Sequence, residues 1–165
     1  GFQNAKYQPL RCYEDIMIFS KCGAVASAKP PMRYFPQGII PVNLKVTTKP
    51  INYLGDKKSD EKVSYTQEEA NFPRNVIQFA RETDLYHPTQ KPIVLMEYIV
   101  STYSKRGDLV LDFTSGSGST LLACEVLNRR WIGIELTDKY CEVIKKRIQK
   151  GIQLKLQFEY DNENT

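Results

Sequence analysis

Two carboxylates set around a glycine turn are the residues of this chain best suited to holding a ligand. Asp112 closes the apolar run Leu109-Val-Leu, and Phe113-Thr-Ser-Gly-Ser-Gly118 follows at once, ahead of the apolar segment Leu121-Leu-Ala-Cys-Glu-Val-Leu127. Glu135 closes a second apolar run, Trp131-Ile-Gly-Ile, 19 residues after Gly116. An acid roughly 20 residues after such a turn is where a β-α-β nucleotide site meets ribose hydroxyls. Gly116 and Gly118 permit positive φ and carry no side chain. Backbone N–H groups at the start of the following helix can therefore approach a polar or anionic ligand closely.

The turn is not a complete dinucleotide or phosphate-binding motif. G-x-G-x-x-G needs a third glycine where Leu121 stands, and a P-loop needs Gly-Lys-Ser/Thr, which is absent. Two carboxylates around glycines suit a ligand with a ribose and an ammonium group better than a pyrophosphate. S-adenosylmethionine has both. A close-packed structural turn is the competing reading. His87, the one histidine, has no nucleophile nearby to activate and reads as a positioning residue.

These residues need strands and helices to hold them. Leu109–Asp112 and Trp131–Glu135 read as strands, with a helix between them. Upstream, Thr89 can cap a helix whose first turn accepts Pro92. Leu95, Tyr98, Ile99 and Thr102 give that helix a face, and Gly107 can stop it. After Glu135, Thr137 or Asp138 can cap a further helix with Tyr140, Val143, Ile144 and Ile148 on one side. Glu14-Asp-Ile-Met-Ile-Phe19 reads as a buried strand, and 157–165 as a polar, frayed tail.

Residues 29–86 differ in character. Six of the nine prolines lie there, and Tyr34, Phe35, Tyr53, Tyr65 and Phe72 alternate with basic residues among which are Lys29, Arg33, Lys45, Lys49 and Arg74. Basic groups can neutralise phosphates and aromatic faces can stack on bases; a solvated, irregular insertion is the alternative. The net charge of +4 is mild, four cysteines form no Cys-x-x-Cys pair, and no apolar run approaches a membrane span. The expectation is one domain with reduced thiols in the cytoplasm, no metal site and no membrane partner.

His87-Pro-Thr-Gln-Lys-Pro92, Asp112 with Gly-Ser-Gly-Ser-Thr120, and Trp-Ile-Gly-Ile-Glu135 followed by Tyr140 together resemble the C-terminal part of a β-class DNA amino-methyltransferase, in which the motif order is permuted. The opening, Phe2 to Arg11 with Glu14–Phe19, is similar to a segment of many phage and restriction-system members. The resemblance implies an α/β fold: part of a Rossmann-like S-adenosylmethionine-dependent sheet with helices on both faces, plus an irregular inserted recognition region. It implies methyl transfer from S-adenosylmethionine to adenine N6, or to cytosine N4, in double-stranded DNA. Thr89, Gln90 and Lys91 would meet the methionine end of the cofactor. Asp112, Phe113, Thr114, Ser115, Gly116 and Gly118 would form the cofactor loop, with Thr114 in place of the family's usual aromatic, and Glu135 would take the ribose. Lys29, Arg33, Lys45, Lys49 and Arg74 would serve DNA binding. The implied layout is 1–28 and 87–156 as core, 29–86 as target recognition and 157–165 as tail.

The family's catalytic Asp-Pro-Pro-Tyr-type tetrapeptide does not occur in these 165 residues, where Lys29-Pro-Pro-Met32 is the one Pro-Pro pair. That tetrapeptide accepts hydrogen bonds from the target amine and stacks on the flipped base. No catalytic residue is therefore assigned, and the chain reads as the C-terminal half of a larger enzyme whose other half is truncated, cleaved or a separate subunit. A non-catalytic DNA- or cofactor-binding subunit is the alternative. A nicotinamide oxidoreductase is disfavoured by the missing third glycine.

Overall fold

The apolar runs on either side of the glycine turn pair as parallel strands in the computed structural model, which describes residues 13–24, 27–48 and 62–163. In chain order the elements are β1 (Ile40–Thr48), β2 (Val63–Ala70), α1 (Ile93–Tyr103), β3 (Leu109–Asp112), α2 (Ser119–Val126), β4 (Arg130–Gly133) and α3 (Asp138–Glu163). The architecture is α/β. β3 and β4 run parallel in the register Val110 to Trp131 and Asp112 to Gly133, joined by α2 as a β-α-β crossover.

Side chains alternate across a strand, so each strand presents two faces. Trp131 and Gly133 point toward α2 and α3, where Trp131 packs on the buried cluster Leu121, Ile144 and Ile148. Gly133 is a close approach: an added Cβ would stand 2.4 Å from Leu121 Cδ1 and 2.8 Å from Ser115 Oγ. On the opposite face Leu109, Leu111, Ile132 and Ile134 are all about half exposed. Among the described residues no helix covers this second face, in contrast to the expectation of helices on both. Apolar residues on both sides of a strand signal two covered faces, but the pattern does not name the segment that does the covering.

α1 begins later than the Thr89 cap would place it. Its N-cap is Pro92, and the first free N–H, that of Ile93, is taken by Glu82 Oε1 at 2.7 Å. Thr89 instead turns its own N–H and hydroxyl onto His87 Nδ1. α1 ends at Tyr103 rather than at Gly107, because Ser104 folds both its N–H and its hydroxyl back onto Val100 O. Gly107, at φ 83°, serves the turn into β3. Arg129 locks that corner through Ser104 O at 2.8 Å and Leu127 O at 2.6 Å.

α3 starts where Thr137 O receives the N–H groups of Tyr140 and Cys141. It continues to Glu163, through most of the segment whose polarity suggested a frayed tail. Gln157, Glu159 and Glu163 are polar and still good helix formers.

β1 and β2 form an antiparallel hairpin, with a register shift between Pro41 and Leu44. The chain divides into two units between Arg33 and Tyr34. Tyr34 onward belongs with the core: Phe35 donates its N–H to Thr102 O at 2.8 Å, and Lys105 lies over the Phe35 ring. In the first unit, residues 13–20 form no strand, and Met17 and Phe19 are exposed. An apolar run becomes a strand only when another strand takes up its backbone groups, and none of the described strands does so. The opening segment 2–11 and Lys49 lie outside the described residues.

Candidate functional site

Planar peptides and positive φ shape the turn after β3. Gly116 and Gly118 sit at φ 55° and 79°, in the left-handed region that residues with a Cβ avoid. Ser115 N–H donates to Ile134 O at 2.9 Å and Gly118 N–H to Ser115 O at 2.7 Å. Asp112 Oδ1 accepts Thr114 N–H at 3.1 Å, while Asp112 O accepts the Ser115 hydroxyl at 3.0 Å. The second carboxylate lies two residues past the end of β4. Glu135 Oε2 accepts Gly116 N–H at 2.8 Å and Oε1 accepts Thr137 N–H at 3.0 Å. Those N–H donors, Thr137 first and then Gly116, hold the Glu135 carboxyl below the ordinary carboxylate range. Asp112 and Glu135 therefore stand beside the carboxyl ends of two adjacent parallel strands, where open α/β sheets bind ligands.

The segment His87–Lys91 lies along the same turn. The His87 ring is 3.7 Å from where a Cβ on Gly116 would sit, and it packs on Tyr140 of α3 at 4.4 Å between centroids. His87 Nδ1 accepts from Thr89 N–H at 3.2 Å, which assigns the neutral ring its proton on Nε2. Gln90 is engaged on all sides. Its Oε1 accepts Tyr86 N–H at 3.0 Å, and its amide donates to Asp84 O at 3.1 Å and to Glu82 Oε2. Lys91 is half-buried.

The anionic oxygens of Asp112 and Glu135 have exposed apolar side chains next to them in the chain. Phe113 and Leu136, each directly after one of the two carboxylates, are 71% and 98% exposed. Such a mouth can grip hydroxyl or ammonium groups while offering flat apolar contact to a ring. Among the described residues no cluster of three His, Cys, Asp or Glu side chains could hold a metal ion, and no helix is long and apolar enough to cross a membrane.

A family model described as DNA methylase, covering N6 and N4 enzymes, matches residues 2–146. The chain belongs to this DNA methylase family. It is similar to the type II methyltransferase M2.DpnII of Streptococcus pneumoniae, 43% identical over 63 residues, which are 38% of this chain and 24% of that protein. It is likewise similar to the type II methyltransferase M.HpaI of Haemophilus parainfluenzae, 45% identical over 62 residues, 38% of this chain and 20% of that protein. The matched stretch thus spans a quarter or less of either relative. Among solved structures it is similar to an M1.HpyAVI–SAM complex, at 35% identity over 53% of this chain and 48% of that one, with a TM-score of 0.40.

The remaining expected residues are more scattered. Lys29 and Arg33 are exposed in the first unit, Lys45 is exposed on β1, and Arg74 is exposed in the stretch after β2. Three residues at the loop had no place in the motif reading: Glu82, Arg147 and Leu136. Arg147 left a visible signal. It falls on the apolar stripe of α3 with Tyr140, Val143, Ile144 and Ile148, where a solvated arginine has no business. Glu82 left none, because its partners Ile93 and Arg147 are far from it in sequence.

Proposed function

We propose that this chain is the cofactor-binding and DNA-recognition part of an S-adenosylmethionine-dependent DNA amino-methyltransferase, adenine-N6 in preference to cytosine-N4. The observation that carries the reading is the pair Asp112 and Glu135 around the glycine turn, with Glu135 kept anionic by Gly116 and Thr137. The donor set fits the cofactor's chemistry. Glu135 would take the ribose hydroxyls, and Asp112 with Ser115, Gly116 and Gly118 would line the bend. Phe113, Thr114 and Leu136 would border the adenine, and Thr89 and Lys91 would face the methionine end. Gln90, already bonded on both sides of its amide, would act by holding its neighbours. When bound, the cofactor supplies a methyl group on a positively charged sulfur; anionic oxygens and excluded water are what this chain contributes.

The names of the relatives, type II methyltransferases, support a DNA substrate. Lys29, Arg33, Lys45, Lys49 and Arg74 are the proposed phosphate contacts. The whole sheet would be Rossmann-like, its exposed Leu111 and Ile132 face covered by the polypeptide that carries the catalytic Asp-Pro-Pro-Tyr-type motif. Without that motif this chain alone would transfer no methyl group. A non-catalytic subunit that completes an active partner is the second reading, favoured by the same absence from the sequence.

Calorimetric titration with S-adenosylhomocysteine tests the first reading. Binding by the parent and its loss in Asp112→Ala/Glu135→Ala is the expected result. A folded parent that does not bind, alone or with an upstream polypeptide bearing the tetrapeptide, would sink it. Radiolabelled methyl transfer by the two together, with the labelled base identified, decides adenine against cytosine.

A further inference from the structure

We propose that Arg147 is a positioning residue that holds the glycine turn and the Thr89–Lys91 segment in one arrangement, through a part-buried clasp running Ser117–Arg147–Glu82–Gln90. This rests on the cofactor reading above and adds a determinant of that site that lies outside its contact residues.

The side chain of Arg147 reaches from α3 under the turn and is 9% exposed. Its Nη1 donates to Ser117 O at 2.6 Å, to Ser117 Oγ at 3.0 Å and to Ser119 Oγ at 3.4 Å. Its Nη2 stands 3.7 Å from Glu82 Oε2, and its guanidinium lies over the Tyr86 ring at 5.0 Å. Glu82 uses both oxygens for the other side: Oε1 for Ile93 N–H and Oε2 for the Gln90 amide. One guanidinium thus links, through Glu82, the two stretches proposed to meet the cofactor.

What the clasp fixes is a particular peptide plane. The carbonyl of Ser117 and the N–H of Gly118 belong to one planar unit. Arg147 holds the carbonyl end, and Ser115 O holds the N–H end at 2.7 Å. Gly118 has no Cβ to limit its rotation and rests at φ 79°, so this plane would otherwise be free to flip and break the bond to Ser115 O, whose own peptide unit carries the Gly116 N–H. A planar fork of donors can bind a carbonyl, two hydroxyls and a carboxylate together; an ammonium cannot. Burying a charge gains little stability over a well-packed apolar side chain. Its gain is here a defined geometry, between a loop and a segment that share no backbone bond.

The full chain with Arg147→Lys, Arg147→Met and Glu82→Gln tests this by two readouts, at a temperature where each variant is folded. In the ligand-free protein, amide hydrogen exchange at Gly116 and Gly118 should quicken relative to Leu127, an amide at the end of α2. Affinity for S-adenosylhomocysteine should fall roughly tenfold, the equivalent of about 1.4 kcal/mol of lost positioning. Arg147→Lys keeps charge and stem and should still lose the effect, so the test survives if Arg147→Met fails to fold. Arg147→Met and Glu82→Gln combined should cost less than the sum of the two. Parent binding with unchanged affinity and exchange in the variants overturns the clasp and leaves the cofactor reading standing. No binding by the parent, with loop exchange still quickened in the variants, overturns the cofactor reading and leaves Arg147 a purely structural brace, which defeats the proposal as stated.

Discussion

Glu135 Oε2 accepts the backbone N–H of Gly116 at 2.8 Å, so the acid past the end of β4 closes the turn that follows β3. The same carboxylate takes Thr137 N–H at the head of α3. A single side chain therefore ties the loop, the strand end and the helix start before any ligand arrives. Because these donors favour the charged form, its pKa in the folded chain lies below its unfolded value. The tie made by Glu135 is therefore fully formed above the unfolded carboxylate range and is lost as pH falls through the lower folded value. Protection of the Gly116 amide, measured as exchange relative to its intrinsic rate at each pH, should accordingly hold at neutral pH and fall only on the acid side of the ordinary carboxylate range. Glu135→Gln should abolish that pH dependence. A dependence that survives the substitution would assign it to another group.

Gly133 is a tight place in the fold. A methyl there would press on Leu121, itself 1% exposed, and on Ser115 Oγ. Leu121 cannot swing away without opening the core. Gly133→Ala should cost about 1–3 kcal/mol, the usual penalty of overpacking. Urea unfolding of parent and variant would read it as a lower midpoint at constant slope. Gly107→Ala is the control: nothing lies within 4 Å, and its cost comes only from φ 83°, on the order of 1 kcal/mol.

The loop, its flanking strands and the helix after it were legible because their cues are local. Apolar runs close on carboxylates, glycines occur where φ turns positive, and α3 repeats at helical spacing. Failures of the reading came where a distant residue decides. Glu14–Phe19 has strand composition but no described strand to pair with it. Thr89 could cap α1 by its type, yet Glu82 reaches in from ten residues upstream of Pro92 and takes the first N–H. Asp112 and Glu135 were legible as a pair, whereas the Arg147–Ser117 contact joins positions 30 apart that no motif links.

Cys124 offers a test of the packed side of α2. It is fully buried, and burial pushes its thiol up to about 11 against an unfolded value of 9.0, with Arg129 pulling the other way and Glu125 and Asp112 adding to the rise. The thiolate is the reactive form. At pH 8, Cys124 should resist a neutral alkylating reagent until the chain unfolds, while Cys22 and Cys141, both partly exposed, react first. The raised value stabilises the fold fully below the unfolded pKa, and that contribution is lost as pH rises toward 11. Mass mapping of the alkylated peptides before and after urea checks the order. Early modification of Cys124 would mean that α2 lifts readily from the sheet.

The two faces of β3 should answer oppositely to one substitution. Val110 points with Trp131 toward the helices and is half-buried, whereas Leu111 pairs with Ile132 on the other face and is 57% exposed. Val110→Lys forces an ammonium against the cluster around Leu121 and should cost roughly 2 kcal/mol. Leu111→Lys leaves its charge in water and should stay within about 0.5 kcal/mol of the parent. The comparison isolates the face, because both positions are adjacent, apolar and in the same strand. Thermal unfolding of the two variants at equal concentration measures it. Equal destabilisation would mean that the Leu111 face is covered in solution, by a second copy or by another part of the polypeptide; a concentration series separates those two.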